Sequence, residues 1–317
     1  MTEQRDATPG IVLVTGAAGQ LGGYLRPALA AAGYTVAGLG SRPGSGVDLV
    51  VDITDAAAVR DAVRTVQPAV VVHAAAYTDV DGCERDPARA EAVNADGAAH
   101  AAAAAHATGA YLVGVSTDFV FAGDGGAPYQ EAAPTNPVSV YGRSKLAGEA
   151  AILAADPAFA VGRTAWLYGG AGKHFPRTVL SMLRDRGAME VVADEAGNPT
   201  WAADLSASLV ALVDVRGSGL FHLVNAGRAT RYELAREVAA VAGLDPSAVH
   251  PTTTAEFLAR YPLPARRPPD SSLGNARAAA LGIVLPPWQE AIQTYIPRLA
   301  VELGIHAASS PLVPSEV

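Results

Sequence analysis

A tyrosine and a lysine four residues apart, Tyr141 and Lys145, are the pair best suited to chemistry in this 317-residue sequence. The chain has two lysines against twenty-one arginines, so a lysine at this spacing is unusual in it. Residues at positions i and i+4 lie on the same face of a helix. A compact ammonium beside a phenol favours the phenolate and lowers the tyrosine pKa from its usual value of about 10. The pair is therefore a candidate proton donor near neutral pH.

Two further segments could serve the same reaction. A glycine-rich turn follows the apolar run at 11–15, and glycines there permit a tight turn and a close approach of the backbone to a pyrophosphate. The predicted cofactor contacts of this turn are Gly16, Gly19, Gln20, Leu21 and Gly22. Ser116, Thr117 and Asp118 end another apolar run, so we expect their side chains at the carboxyl edge of a sheet, where ligands bind in open α/β folds.

The segments after the second and third apolar runs bear on the choice of cofactor. An acidic residue after the second strand usually binds the ribose 2′-hydroxyl of NAD, but this chain has Gly40, Ser41 and Arg42 there. Arg42 could meet a 2′-phosphate, which favours NADPH and leaves NADH as the alternative. Asp52 and Ile53 are expected near the adenine, whose amino group can donate a hydrogen bond to the carboxylate.

The elements that must position these groups alternate along the first half of the chain. Short β-branched runs predict strands at 11–15, 34–39, 49–52, 69–73, 111–116 and 159–162. Helical patterns between them predict helices at 20–32, 56–66, 86–107 and 138–154. This alternation predicts an α/β fold with a doubly wound, Rossmann-like parallel sheet and helices on both faces.

The alternation weakens after about Thr164. Helices are predicted at 174–186, 202–213, 232–242 and 287–303, and a proline-rich stretch at 261–269 is typical of a loop over a substrate site. We predict a dinucleotide-binding domain over 11–165 and a smaller substrate-binding domain over 166–304, with interleaved boundaries. The ends at 1–10 and 305–317 are predicted to be disordered.

Composition and charge limit the classes of function. Half of the residues are hydrophobic and 17% are charged, as in a globular protein. A net charge of −8 argues against nonspecific binding to nucleic acid or to anionic membranes. Cys83 is the only cysteine, which excludes an intramolecular disulfide and a thiolate metal site, and we predict no metal site. Because no signal peptide or membrane-spanning run is evident, we expect a cytoplasmic protein.

Six longer segments carry a more specific pattern. They are HAAAYTDVDGCERDPARAEAVNA (73–95), STDFVFAG (116–123), NPVSVYGRSKLAGE (136–149), GRTAWLYG (162–169), DEAGNPTWAADL (194–205) and PARRPPDSSLGNARAAALGI (264–283). With the glycine turn, they resemble the dTDP-4-dehydrorhamnose reductase family, a branch of the extended short-chain dehydrogenase/reductases. The resemblance runs from Ile11 to about Leu303.

The resemblance implies a reaction and roles for its catalytic residues. Members of the family reduce the 4-keto group of a dTDP-4-dehydro-6-deoxysugar with a nicotinamide hydride. Tyr141 would donate a proton to the developing alkoxide, and Lys145 would lower its pKa and bind the nicotinamide ribose. Thr117 would hydrogen-bond to the substrate carbonyl.

The resemblance also implies binding residues. Ala76, Tyr77, Thr78 and Val115 match positions that line the cofactor. Asp118 and Trp166 match contacts to the substrate. The substrate diphosphate needs cations, and the candidates are Lys173, Arg177, Arg266 and Arg267. Arg266 and Arg267 are favoured because they lie in the matched segment at 264–283.

The chain departs from the family pattern at several positions. Asparagine is usual where this chain has His73, aspartate is frequent at the position of Ala122, and glutamine is usual at the position of Glu195. These departures leave open the sugar and the cofactor that are preferred. Some members bind magnesium at a dimer interface, so a homodimer is compatible with the resemblance, but no clear carboxylate cluster here carries over the magnesium site.

Several alternative functions follow from the same pattern. A related dTDP-sugar 4-ketoreductase of an antibiotic deoxysugar pathway, such as a dTDP-dihydrostreptose synthase, would look much the same. A 4,6-dehydratase is disfavoured because Phe119 follows Asp118 where a glutamate is needed. An epimerase and a non-catalytic nucleotide-binding regulatory subunit are the remaining alternatives, and the presence of both Tyr141 and Lys145 disfavours the regulatory subunit.

Overall fold

The computed structural model describes residues 10–125, 128–170 and 172–305. The disorder predicted at the two ends falls on residues that lie outside these ranges, except for Gly10 and Ile305. Ile305 is 6% exposed and packs against the second of the two cores described below, so it belongs to the folded part of the chain.

Strands and helices alternate over much of the first half of the described chain and less regularly after it. The strands are β1 Ile11–Thr15, β2 Thr35–Gly40, β3 Leu49–Val50, β4 Val70–His73, β5 Tyr111–Thr117, β6 Ala160–Thr164, β7 Leu167–Tyr168, β8 Met189–Val192, β9 Ala196–Gly197, β10 Thr200–Trp201, β11 Gly219–His222, β12 Ala229–Thr230 and β13 Val249–Thr252. The helices are α1 Gln20–Ala31, α2 Ala56–Val66, α3 Val80–Arg85, α4 Pro87–Glu91, α5 Gly97–Thr108, α6 Val140–Ala155, α7 Phe175–Arg186, α8 Ala202–Val215, α9 Arg231–Val241, α10 Thr254–Arg260, α11 Ala276–Ala280 and α12 Trp288–Glu302.

The main sheet has seven parallel strands in the order β11-β6-β5-β4-β1-β2-β3. Its central strands are apolar along their length, as expected where helices cover both faces of a parallel sheet. Helix α1 packs against α8, while α5 packs between α2 and α6. The predicted doubly wound α/β fold is therefore confirmed. The strand order changes direction next to β1, so the carboxyl ends of β1, β4 and β5 open onto one crevice.

The edge strand of this sheet comes from the second half of the chain. Strand β11, at Gly219–His222, pairs with β6, and helix α8 contributes Leu205, Leu209 and Leu212 to the main core. Strand β11 was not predicted from the sequence, because four residues give little periodicity. The division near residue 165 stays a prediction, and the main sheet extends across it.

A second core lies outside the sheet and is formed mainly by α7, α9 and α12. Three sheets of two short strands join its segments: β10 with β7, β12 with β9, and β13 with β8. Their strands have only two to four residues, which is too short for a reliable alternating pattern. No helix in the described ranges is both long and apolar enough to cross a membrane.

The long helix predicted at 86–107 is interrupted. Asp86 is non-helical and its side chain caps α4 at Arg89, and a π-helical turn at Ala92–Asp96 then separates α4 from α5. The turn contains Asn94, whose amide accepts a hydrogen bond from the Tyr77 N–H at 2.8 Å and donates to the Ser144 hydroxyl at 3.0 Å. The irregular turn therefore fastens the loop after β4 to helix α6, consistent with the frequent use of π-turns at functional sites.

Candidate active site

In the glycine turn after β1, the backbone of the turn lies very close to the loop after β4 and to the start of α1. Gly16 has φ +70, and a Cβ there would lie 2.9 Å from the Ala75 Cα. A Cβ on Gly22 would lie 2.5 Å from the carbonyl oxygens of Gly16 and Ala17. Helix α1 begins at Gln20 without a side-chain cap, so its first N–H groups remain available to an anion. Only glycine fits at positions 16 and 22, and the geometry of the turn suits a pyrophosphate.

Two cavities open at the carboxyl edge of the sheet and share Gly16, Ala75 and Ala76 in their walls. One cavity, of about 440 Å³, is called the tyrosine cavity because Tyr141 and Lys145 lie in its wall. The other, of about 610 Å³, is called the Arg42 cavity. Because they share these wall residues, the two cavities adjoin, and they are together called the crevice.

Tyr141 lies in the first turn of α6, where Ser139 caps the helix by accepting a hydrogen bond from the Gly142 N–H. The Tyr141 ring meets the Phe119 ring edge to face, with centroids 5.7 Å apart. Burial raises the pKa of Tyr141, a hydrogen bond with the Thr117 hydroxyl opposes this rise, and the nearby Asp118 charge adds to it. The phenol is therefore protonated at neutral pH, which is the form that a proton donor needs.

Lys145 lies one turn further along α6 and is 6% exposed. Its ammonium donates a hydrogen bond to the Val115 carbonyl oxygen at 2.8 Å. Burial lowers the pKa of Lys145 to about 8, while the Glu149 carboxylate opposes that change. The sequence-based expectation of a Tyr141 pKa below its usual value is wrong for this structure, because burial of the phenol raises that pKa.

A buried ion pair lies behind Lys145. Glu149 and Arg163 form two hydrogen bonds, at 2.7 and 2.9 Å, and each side chain is 4% exposed. The Ser116 hydroxyl donates at 2.5 Å to Glu149 Oε1, the oxygen that also accepts from Arg163 Nε. Helix α6 is thereby joined to β5 and β6 directly beneath the tyrosine cavity. The network therefore anchors the helix that carries Lys145 to the sheet.

Asp118 follows β5 and is 2% exposed. The Ser271 hydroxyl donates to one carboxylate oxygen, and Thr117 Oγ1 donates to the other at 3.0 Å. Burial raises the pKa of Asp118 to about 6, against the effect of these hydrogen bonds and of the Arg231 charge. Asp118 is therefore a fixed, mostly ionised acceptor in the cavity wall at neutral pH.

Trp166 follows β6 with φ +45, which is rare for a residue with a side chain. Its indole packs on bare backbone at Gly197, where a Cβ would lie 2.6 Å from Trp166 Cε2. Backbone strain of this kind persists only where the surrounding packing enforces it, and it clusters at ligand sites. In this backbone conformation the Trp166 indole lines the tyrosine cavity.

Comparison with known proteins places the chain in a family. Residues 10–301 match the family described as "RmlD substrate binding domain". The chain belongs to this family. A protein of Streptomyces griseus named dTDP-4-dehydrorhamnose reductase is 44% identical over 300 residues, which is 92% of this chain and 95% of that protein.

Two other relatives bear on function. A Streptomyces antibioticus protein named probable dTDP-4,6-dihydroxy-2-methyloxan-3-one 4-ketoreductase is 42% identical over 90% of this chain and 95% of its own length. The crystal structure of the dTDP-4-dehydrorhamnose reductase of Bacillus anthracis in complex with NADP has a TM-score of 0.85 and 32% identity, covering 92% of this chain and 99% of that one.

The structure brings most of the residues predicted for this RmlD-family site into the two cavities. Those in the wall of the tyrosine cavity are Gly16, Gly19, Gln20, Leu21, Gly22, Ala76, Thr78, Val115, Thr117, Asp118, Tyr141, Lys145 and Trp166. Those in the wall of the Arg42 cavity are Gly16, Ser41, Arg42, Asp52, Ile53, Ala76 and Tyr77. The Asp52 carboxylate accepts two hydrogen bonds from Thr54, and these lower its pKa.

Arg266 and Arg267 lie outside both cavity walls. Arg266 is exposed, whereas Arg267 forms an ion pair with Asp81 at 2.8 Å. Two cations in the cavity walls, Arg89 and Arg231, were not predicted from the sequence, nor was Ser271, which donates a hydrogen bond to Asp118 from outside the two walls. Glu149 could have been predicted, because it follows Lys145 by four residues on the same helix face. The other three have no recognisable spacing to the motif residues.

Proposed function

We propose that this protein reduces the 4-keto group of a dTDP-4-dehydro-6-deoxysugar, dTDP-4-dehydrorhamnose in the first place, with NADPH as the hydride donor. The observation that carries the proposal is the convergence of Tyr141, Lys145 and Thr117 on one cavity beside the glycine turn. The name of the 44% identical Streptomyces griseus relative supports the substrate, and the NADP-bound Bacillus anthracis relative supports the cofactor. NADH is the alternative donor.

The chain's own residues supply binding and proton transfer. A bound nicotinamide cofactor supplies the hydride that reduces the carbonyl carbon. The Thr117 hydroxyl, which donates to Asp118 in this structure, would turn to donate to the substrate carbonyl, and the neutral Tyr141 phenol donates its proton to the oxygen as negative charge develops there. Lys145, buried and cationic below a pKa of about 8, stabilises the phenolate that this transfer leaves. The bare glycine turn and the uncapped start of α1 hold the cofactor pyrophosphate.

A related 4-ketoreductase of another deoxysugar pathway is the second candidate, favoured by the 42% identity to the Streptomyces antibioticus relative. Dehydration is disfavoured, because Phe119 occupies the position after Asp118 and contributes a ring rather than a carboxylate to the cavity wall. A non-catalytic role is disfavoured by the complete set of Tyr141, Lys145 and Thr117. A homodimer, a cytoplasmic location and the absence of a nucleic-acid partner stay predictions.

The direct test is NADPH oxidation with a panel of dTDP-4-keto-6-deoxysugars. We expect the highest kcat/KM with dTDP-4-dehydrorhamnose, measured as loss of absorbance at the reduced nicotinamide band. A preference of tenfold or more for another ketosugar of the panel would assign the second candidate instead. Absence of turnover across the panel would contradict reduction altogether.

Cofactor preference depends on Arg42, which is exposed in the wall of the Arg42 cavity. We expect Arg42→Ala to weaken NADPH binding by about 5- to 50-fold, as for loss of a charge-assisted hydrogen bond to a phosphate. NADH lacks the 2′-phosphate, so its affinity should change little. Fluorescence titration of both cofactors against both proteins measures the difference, and equal losses for the two cofactors would refute a 2′-phosphate contact.

A further inference from the structure

Arg231 is the first residue of α9 and is held in the wall of the tyrosine cavity from two sides. Its guanidinium carbon lies 3.5 Å from the centre of the Trp166 ring and 5.2 Å from that of Phe175. Its backbone N–H donates to the Glu195 carbonyl oxygen at 3.1 Å. A planar guanidinium stacked on an indole is well fixed and loses little further freedom when it binds a ligand.

The hydrogen-bonding capacity of this guanidinium is unused. Within the described ranges, no side chain or carbonyl accepts a hydrogen bond from it, although arginine has five N–H donors. Glu195 and Asp118 interact with it electrostatically, and burial lowers its pKa only to about 10, so it is a cation at neutral pH. These donors can therefore bind ligand oxygens, and such charge-assisted hydrogen bonds are stronger than neutral ones.

The substrate side of the crevice offers few other cations. Among the described residues that line the tyrosine cavity, Lys145 and Arg231 are the cationic ones, and Lys145 already bonds to Val115 beside the phenol. None of the other predicted diphosphate contacts lines the tyrosine cavity, and two of them already form ion pairs. Arg177 pairs with Glu302 at 2.8 Å, and Arg267 pairs with Asp81.

We propose that Arg231 binds the diphosphate of the nucleotide-sugar substrate, with its guanidinium fork directed into the tyrosine cavity and its plane supported by Trp166. This rests on the proposed function, which supplies a diphosphate, and it assigns that group to a residue outside all the matched sequence segments. Trp166 then has two roles: it lines the cavity and it orients the arginine. Arg231 is a substrate-binding residue that takes no part in proton transfer.

Binding of dTDP, measured by isothermal titration calorimetry on the full chain, tests the assignment. We expect Arg231→Ala to weaken dTDP about 10- to 100-fold, as for loss of one or two charge-assisted hydrogen bonds. Arg231→Gln keeps a planar amide on the Trp166 face without the charge and should lose nearly as much. Affinity for NADPH should stay within about twofold in both variants, which also shows that they are folded.

Arg236→Ala is the matched control. Arg236 lies on the same helix, is exposed, and has its guanidinium carbon 5.7 Å from the Tyr232 ring centre, outside both cavities. Its loss removes the same charge, so dTDP affinity should fall less than twofold. Unchanged dTDP affinity in both Arg231 variants would overturn this inference alone. Absence of dTDP binding by the wild-type protein would overturn the nucleotide-sugar function itself.

Discussion

Tyr141→Phe should lower kcat about 10²- to 10⁴-fold while NADPH affinity changes less than about threefold. The substitution removes the phenolic proton donor but keeps the ring that packs against Phe119. Because burial holds the Tyr141 phenol in its protonated form, the loss should be similar across neutral pH. Steady-state kinetics with the ketosugar found by the panel, together with NADPH titration, measure both quantities.

Tyr232→Phe is the control for loss of a tyrosine hydroxyl. Tyr232 lies on α9 outside both cavity walls and contacts Arg236 through its ring. Its kcat should stay within about twofold of wild type. A Tyr141→Phe enzyme with near-normal turnover would mean that another group delivers the proton, and Thr117 would be the first to examine.

Glu149→Gln should cost about 3–5 kcal/mol of the free energy of unfolding. The substitution keeps the shape of the side chain but leaves the Arg163 guanidinium buried without a counter-charge. It should also move the alkaline limb of kcat to lower pH. The Glu149 carboxylate raises the pKa of Lys145, so its loss places that pKa below about 8, and the ammonium is then lost at a lower pH. Urea unfolding and a pH–kcat profile measure the two effects.

Glu190→Gln provides the comparison for these measurements. Glu190 pairs with Arg260 at the surface, where the side chains are 48% and 43% exposed, so we expect a loss below about 1 kcal/mol and an unchanged pH profile. If Glu149→Gln were no more destabilising than Glu190→Gln, the network with Ser116 and Arg163 would not anchor α6. If Glu149→Gln lowered stability but left the alkaline limb of kcat in place, that limb would not reflect the ionisation of Lys145.

The sequence predicted those features that depend on contiguous residues. The apolar runs from β1 to β6, the glycine turn and the Tyr141–Lys145 spacing each lie within a few residues, where strand and helix periodicity apply. The doubly wound order follows from their alternation, and parallel strands necessarily bring their carboxyl ends to one edge. The glycine turn, the Thr117 hydroxyl and Tyr141 could thus be placed at one site from the sequence alone.

Features that join distant parts of the chain required the tertiary structure. Strand β11 completes the sheet from more than fifty residues beyond β6, and Ser271 reaches Asp118 from 153 residues away. The pKa of Tyr141 also depended on the fold, since burial of the phenol raises it.

The same division holds for the catalytic and binding cations. The Tyr141–Lys145 pair could be recognised from the sequence alone, because residues four apart share one face of a helix. Only the tertiary structure showed that Lys145 faces the Val115 carbonyl, that Arg267 is paired with Asp81, and that Arg231 lies against Trp166 in the cavity. A side chain's charge state and free hydrogen-bond donors depend on the groups that pack around it. In the folded chain those groups come largely from distant parts of the sequence, so periodicity and spacing do not reveal them.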